Sequence, residues 1–293
     1  MQLPIVPASR RDVLGSVAVG VAALCCGCAT RTATRVESVG SDPPIDDSDS
    51  RIDAADSRTR DFLAAVEEAY GNLATYADEG RVVDYFGLPE HGGGVKVKPF
   101  RLKFARDGSP AQRHRVYFEY FEDVGPGYAP SEDVAPQQFP DRYVIWTGAD
   151  GANVRRWWTV NRSWLTGRAP VEERDSLGGA LGAATGVSGR ASVYVPAMLM
   201  PDVLQGRRIT RVLQDAAEVD QVVVADERWR VVEGSVSESE RLALAVDERS
   251  MLIREIRRVV GTGRGTVYSK SVIRPQPNVE FSDRDFEFQP PGN

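Results

Sequence analysis

The pattern of apolar and polar residues changes character repeatedly along the 293 residues. Residues 13–26 form an uncharged apolar run, whereas residues 29–60 are rich in Ser, Thr, Asp and Pro and nearly lack bulky apolar side chains. At "DFLAAVEEAYGNLATYADEG" a helical period sets in. Phe62, Leu63, Val66, Ala69, Tyr70 and Leu73 share one face, and Asp61 or Thr59 can cap the start. The period then falls to two. Aromatic and β-branched runs at 80–87, 95–106, 113–123, 141–148 and 152–160 predict strands. They are divided by Gly92-Gly93-Gly94, Asp107-Gly108, Gly125-Pro126 and Asp150-Gly151, the last a signal for a tight two-residue hairpin. A second group of strands follows at 218–225, 227–236, 241–247, 252–261, 265–273 and 285–288.

About ten or eleven short strands joined by hairpin turns imply a mostly β, α+β fold: one large antiparallel sheet, strongly curled or closed. Between the two groups lies "SLGGALGAATGVSGRASVYVPAMLMPDVL" (176–204). Its first half reads as a small-residue helix with five glycines. Its second half is an apolar patch of Val193, Val195, Met198, Leu199, Met200, Val203 and Leu204. A sheet of this size needs cover on its apolar face, and this segment and the first helix are the candidates for it.

The start of the chain carries chemistry of another kind. Arg10 and Arg11 precede the apolar run, which is shorter than the roughly 20 residues that span a bilayer. A basic region, a short apolar core and small residues before a cysteine describe an export signal, here of twin-arginine type. Gly27-Cys28 resembles a bacterial lipoprotein cleavage site, with Cys28 the acylated residue. All three cysteines, Cys25, Cys26 and Cys28, crowd together with no histidine near, which is not a zinc spacing. The expected organisation is therefore a signal peptide over 1–27, a lipidated cysteine and disordered tether over 28–60, and a folded domain over 61–293 with a lid insertion at 176–204. The polar tether buries too little to offset ordering entropy. With two or more acyl chains the anchor holds firmly.

Net charge is −6 and the basic residues, almost all Arg, are scattered, so the chain lacks the concentrated basic face that nucleic acid requires. Enzyme signals are poor. "GVSGR" (186–190) departs from G-x-S-x-G and does not follow a strand, leaving Ser188 a turn residue. "GTGRG" (261–265) lacks the Lys-Ser/Thr of a phosphate loop and reads as a hairpin tip. His91 and His114 have no ligating companions, and no spacing marks a carboxylate pair. The expectation is a protein that is not an enzyme and needs neither cofactor nor metal.

Binding in an apolar cavity has more behind it. Val116, Phe118 and Tyr120 point to one strand face and Tyr117, Glu119 and Phe121 to the other, a pattern that a lined cavity and a filled core share. Of the adjacent Trp157 and Trp158, one must face inward and the other outward, unless a loop covers the outer one. "PAMLMPDVL" (196–204) offers soft, adaptable methionine contacts of the sort that binding surfaces use.

The order of elements then resembles a known family. The pieces are "YGNLATYADEGRV" with Tyr76, Asp78, Gly80 and Val82, then "YVIWTGADGANVRRWW", the helical insertion, "RLALAVDERSMLIREIRRV", and Phe286-Glu287-Phe288 before Pro290-Pro291. Together, over residues 61–293, they resemble the LolA-like superfamily of periplasmic lipid- and lipoprotein-binding proteins. The resemblance implies a curved antiparallel half-barrel whose concave face is closed by helices over an apolar cavity. It makes Val116, Phe118, Tyr120, Trp146, Trp157, Val195, Met198, Leu199, Met200 and Leu204 the candidate cavity and lid residues. The expected partners are lipid or lipoprotein acyl chains, the membrane through the Cys28 anchor, and other envelope proteins, the chain itself being a monomer on the periplasmic side of the cell envelope, at the outer membrane. The alternative is a structural or envelope-sensing protein with a filled core, in which an exposed Trp158 or Trp164 meets a protein partner.

Overall fold

The sheet is organised about its first strand. The structure, a computed structural model, describes residues 48–86, 94–106, 113–122, 139–161, 167–262 and 265–291. Helix α1 (Ser48–Gly71) leads into β1 (Thr75–Phe86). Strands β2 (Gly94–Arg106), β3 (His114–Glu122), β4 (Asp141–Trp146), β5 (Val154–Trp158) and β6 (Val171–Arg174) then meander outward on one side of β1. The chain crosses over, through helices α2 (Leu177–Ala183) and α3 (Tyr194–Leu199), to the far edge. From there β7 (Gln214–Val224), β8 (Glu227–Ser237), β9 (Glu240–Asp247), β10 (Ile253–Thr262) and β11 (Gly265–Pro277) return until β11 pairs with β1. The result is one open antiparallel sheet of 11 strands in the order β6-β5-β4-β3-β2-β1-β11-β10-β9-β8-β7, a curved half-barrel with helices on its concave face.

This topology explains the lid. Its two flanking strands, β6 and β7, are the two edges of the sheet. Neighbouring strands lie about 4.8 Å apart, so the connection has on the order of 50 Å of flat sheet to traverse. Residues 175–213 must therefore cross the sheet, and their apolar side chains go to the face that has to be buried.

The alternation along each strand sorts the two faces. Tyr76, Val82, Phe100, Leu102, Phe104, Val116, Phe118, Tyr120, Tyr143, Ile145, Val232, Leu244 and Ile256 join the concave core, with Phe62, Leu63, Val66 and Tyr70 of α1 packed onto it. A smaller cluster of Val144, Trp146 and Trp157, with Tyr117, Ala169 and Phe288 against it, occupies the convex face.

Four expectations are corrected. Helix α1 begins at Ser48 rather than near residue 61, so part of the expected tether is helical, and Thr59 is a buried interior residue, not a cap. Strand β6, "VEER", was not foreseen: it is four residues long, polar, and held by pairing with β5. The expected strand at 285–288 is instead a 3-10 turn (Asp283–Phe286) followed by a strap across the convex face. There Lys103 donates to Asp285 at 2.8 Å; that bond and those from Ser282 hold the carboxylate at about 2. Asp150-Gly151 sits in a wider connection between Trp146 and Val154, not a tight hairpin. Cys28, the signal peptide, His91, Trp164 and the turns at Asp107-Gly108 and Gly125-Pro126 lie outside the described residues, as does part of the 261–265 loop.

Candidate functional site

The concave face is covered along its length but filled along only part of it. Over β1–β4, the side chains of Val116, Phe118 and Tyr120 are sealed at 0 % exposure. Tyr120 stacks on Tyr143 with centroids 5.1 Å apart and rings 19° from parallel. Above the concave face, Val195, Met198, Leu199 and Met200 of the α3 segment are buried to the same degree and belong to the same core. Thr210 approaches the Met198 sulfur at 3.8 Å. These seven predicted residues are brought together, but as a packed interior.

Three polar ties hold the crossing segment down. Arg106 of β2 donates to the Leu199 carbonyl at 3.1 Å, at the end of α3. Arg190 reaches Glu240 of β9 at 3.0 Å, and Arg258 of β10 donates to the same carboxylate at 2.8 Å. Glu67 of α1 binds Arg208, Arg211 and the Thr210 hydroxyl, the last at 2.7 Å. Burial raises the Glu67 pKa, but the hydrogen bonds from Arg211, Thr210 and Arg208 outweigh it and hold the carboxyl below its ordinary value. Ser188 belongs to the same fastening. It is fully buried and its hydroxyl donates to Ser192, whose own hydroxyl donates to the Leu181 carbonyl, so it is a staple inside the lid.

Toward β8 and β9 the cover stands off the sheet. A cavity of about 810 Å³, open to solvent, lies between α2, α3, the 203–212 segment and the ends of those strands. Its apolar walls come from Leu177, Val193, Tyr194, Val203, Leu204, Ile209, Val236 and Leu242. Gly178, Gly179 and Gly182 of α2 line another side. Ser176 starts this helix by accepting from the Gly179 N–H at 3.1 Å. A Cβ at Gly182 meets nothing within 4 Å, whereas one at Gly178 meets the Val203 carbonyl oxygen at 2.3 Å. One glycine of α2 thus leaves room and another lets the 203 segment come close. The volume falls in the range of about 300–1,000 Å³ that small-molecule sites occupy.

Of the ten predicted residues only Leu204 lines this cavity. Trp146 and Trp157 are not on the concave face at all. They lie on the convex one, with the Phe288 ring 5.2 Å from each, and the Trp157 indole donates to the Ala169 carbonyl at 3.2 Å. The strand period decides this, because Trp157 is the outward member of its pair and the C-terminal strap covers it. Trp158 is the inward member, half-buried against the core beside Tyr143. Residues of the cavity missed by the sequence reading, above all Leu177, Ile209 and Leu242, were readable as apolar but not as neighbours.

Two titratable groups of the face are shifted by burial. His114 is half-buried, and burial, then the nearby Arg106, push its pKa down. Asp78 is fully buried beneath α1; burial raises its pKa to about 7 although Tyr76 donates to it at 3.0 Å. Among the described residues no group of three or more His, Cys, Asp or Glu is placed to hold a metal ion.

No family model matches the chain, and no curated protein matches it in sequence. Solved structures to which it is similar include lipoprotein LppX of Mycobacterium tuberculosis, with TM-score 0.41 and 6% identity over 78% of this chain and 98% of that one. A DUF1329 family protein of Desulfovibrio piger gives TM-score 0.36 and 12% identity over 79% and 96%. A LolA superfamily protein of Nitrosomonas europaea gives TM-score 0.32 and 9% identity over 78% and 97%.

Proposed function

We propose that this is a non-enzymatic lipoprotein of the bacterial envelope that holds an acyl chain in the cavity between α2, α3 and strands β8 and β9. Acylation at Cys28 ties it to the membrane, on the periplasmic face and at the outer membrane, and the acyl chain belongs to a lipid or to another lipoprotein. The observation that carries the reading is the cavity itself: about 810 Å³, open at one side, with walls mostly apolar and partly bare glycine. Each methylene removed from water contributes about 0.8 kcal/mol, so ten of them supply about 8 kcal/mol before ordering costs.

The route of entry follows from magnitudes. Exposing Val195, Met198, Leu199, Met200 and Leu204 costs about 10 kcal/mol at about 2 kcal/mol each. That is comparable to the whole stability of an ordinary domain, about 5–15 kcal/mol. Displacing the entire 176–204 segment is therefore not the entry step. The chain slides into the volume already open, and the α3 segment stays packed.

The test uses the purified full-length protein and its Gly182→Phe variant, with a palmitoyl monoglyceride as probe and native mass spectrometry as readout. The wild type takes up the probe. The variant, whose added ring enters open space, keeps its melting temperature and loses at least about tenfold in affinity, or 1.4 kcal/mol. Equal binding by a folded variant sinks the cavity reading.

One observation favours a second reading, a structural or sensing protein with a protein partner: the part of the concave face formed by Val116, Phe118 and Tyr120 is filled. Under it the wild type binds no probe, and the cavity is only slack in the packing.

A further inference from the structure

The cavity wall is apolar, but its charge is one-sided. Two arginines line it, Arg190 and Arg207, and no carboxylate does. Arg190 is already neutralised by Glu240 across the lid-to-sheet tie. Arg207 is different. It is exposed at the rim and makes no carboxylate contact among the described residues, while the two arginines that follow it, Arg208 and Arg211, are both taken by Glu67. Three arginines within five positions thus share a single acid, and the one left over is the one on the cavity.

Backbone hydrogen bonds define the turn at that position. Gly206 donates to the Pro201 carbonyl at 2.7 Å, Arg207 to Leu204 at 3.2 Å and Arg208 to Gly206 at 2.8 Å. Gln205 and Gly206 take the left-handed conformation, with φ of 57° and 70°, which turns the chain back at the mouth. Inward of this turn the lining is apolar, with Leu204, Ile209 and Leu242. A molecule that fits places its chain toward these three and keeps its head in water beside the Arg207 guanidinium, which meets no carboxylate among the described residues.

We infer that the cavity selects an amphiphile with an anionic head, a carboxylate or a phosphate ester, and that Arg207 holds that head. The inference rests on the acyl-chain reading of the cavity and adds the chemistry of the ligand's other end. A guanidinium matches both anions with paired N–H donors, which a neutral hydroxylated head cannot exploit. Because the site is exposed, the preference weakens as salt rises.

Three probes sharing one palmitoyl chain test it on the full-length protein: palmitate, palmitoyl lysophosphatidylglycerol and neutral monopalmitin, with inorganic phosphate as a competitor. The wild type binds one or both anionic probes about tenfold more tightly than monopalmitin, as expected of a hydrogen bond to a charged group. Which of the two binds distinguishes a carboxylate from a phosphate head. Arg207→Gln brings the anionic probes to within about twofold of monopalmitin and leaves monopalmitin unchanged, and Arg207→Lys restores part of the preference. Inorganic phosphate at millimolar concentration does not compete, since without a chain it has only a surface arginine. Equal binding of all three probes by the wild type, or a preference that survives Arg207→Gln, overturns the anchor and leaves the cavity reading standing. Failure of all three to bind overturns both.

Discussion

Two stretches of one concave face, under one continuous cover, have opposite fates. Across β1–β4 the sheet offers Phe104, Phe118, Tyr120 and Tyr143, the cover offers Met198, Leu199 and Met200, and all of these side chains are buried in one core. Across β8 and β9 the sheet offers Val236 and Leu242, the cover offers Leu177, Val203 and Gly182, and about 810 Å³ remains open. The backbone architecture is the same in both. The difference lies in the side chains that meet there, and at Gly182 the missing side chain leaves open volume.

The filled stretch should break hardest. Met198 is 1% exposed within the apolar core, so Met198→Asp costs about 4 kcal/mol or more and unfolds the domain. Loss of the cooperative thermal transition is the expected result. A Met198→Asp protein that folds normally means that the α3 segment is not part of the core. Because the fold itself is lost, this variant cannot report on ligand binding, and Gly182→Phe takes that role.

The next effect comes from the same stretch and depends on pH. Asp78 is fully buried with one oxygen unpartnered among the described residues, and its folded pKa is about 7 against about 3.9 when unfolded. Between these values the unfolded chain has released the proton and the folded one keeps it. Stability is therefore full below pH 4, falls by up to about 1.4 kcal/mol per pH unit as pH rises, and levels off above 7. Asp78→Asn removes the slope and is more stable than the wild type at pH 8, though not at pH 4. Urea denaturation of both proteins across that range measures it, and parallel curves refute it.

How much of this was legible in the sequence follows from what each residue's signal depends on. Strands whose alternating side chains are aromatic or β-branched, such as "RHRVYFEYFED", announced themselves, as did the insertion between the two groups, because both signals are local. Strand β6 did not: "VEER" becomes a strand only because β5 is beside it. The strap at Phe288 imitated a strand, since Phe286 and Phe288 alternate yet are drawn to the convex face by Arg115 and the tryptophans. Trp146 and Trp157 were assigned to the wrong face because a strand shows that its neighbours alternate, not which side is inside. The position of the cavity was least legible of all, being set by how distant elements stand around Gly182.

Gly178 and Gly182 sharpen the comparison at its border, one turn of α2 apart. At Gly178 a methyl group meets the Val203 carbonyl, a backbone atom that cannot swing aside, so Gly178→Ala costs about 1–3 kcal/mol through displacement of the 203 segment. At Gly182 the methyl enters open volume, and the helix gains about 0.5–1 kcal/mol from the lost freedom of the unfolded chain. The two identical substitutions therefore move the melting temperature in opposite directions. Gly182→Ala should also bind the palmitoyl probe slightly less well, because the stabilising methyl takes space that the chain uses. A variant that is both more stable and a weaker binder indicates that the glycine is there for room; if Gly182→Ala changes neither property, the open stretch is no more than loose packing beside the filled one.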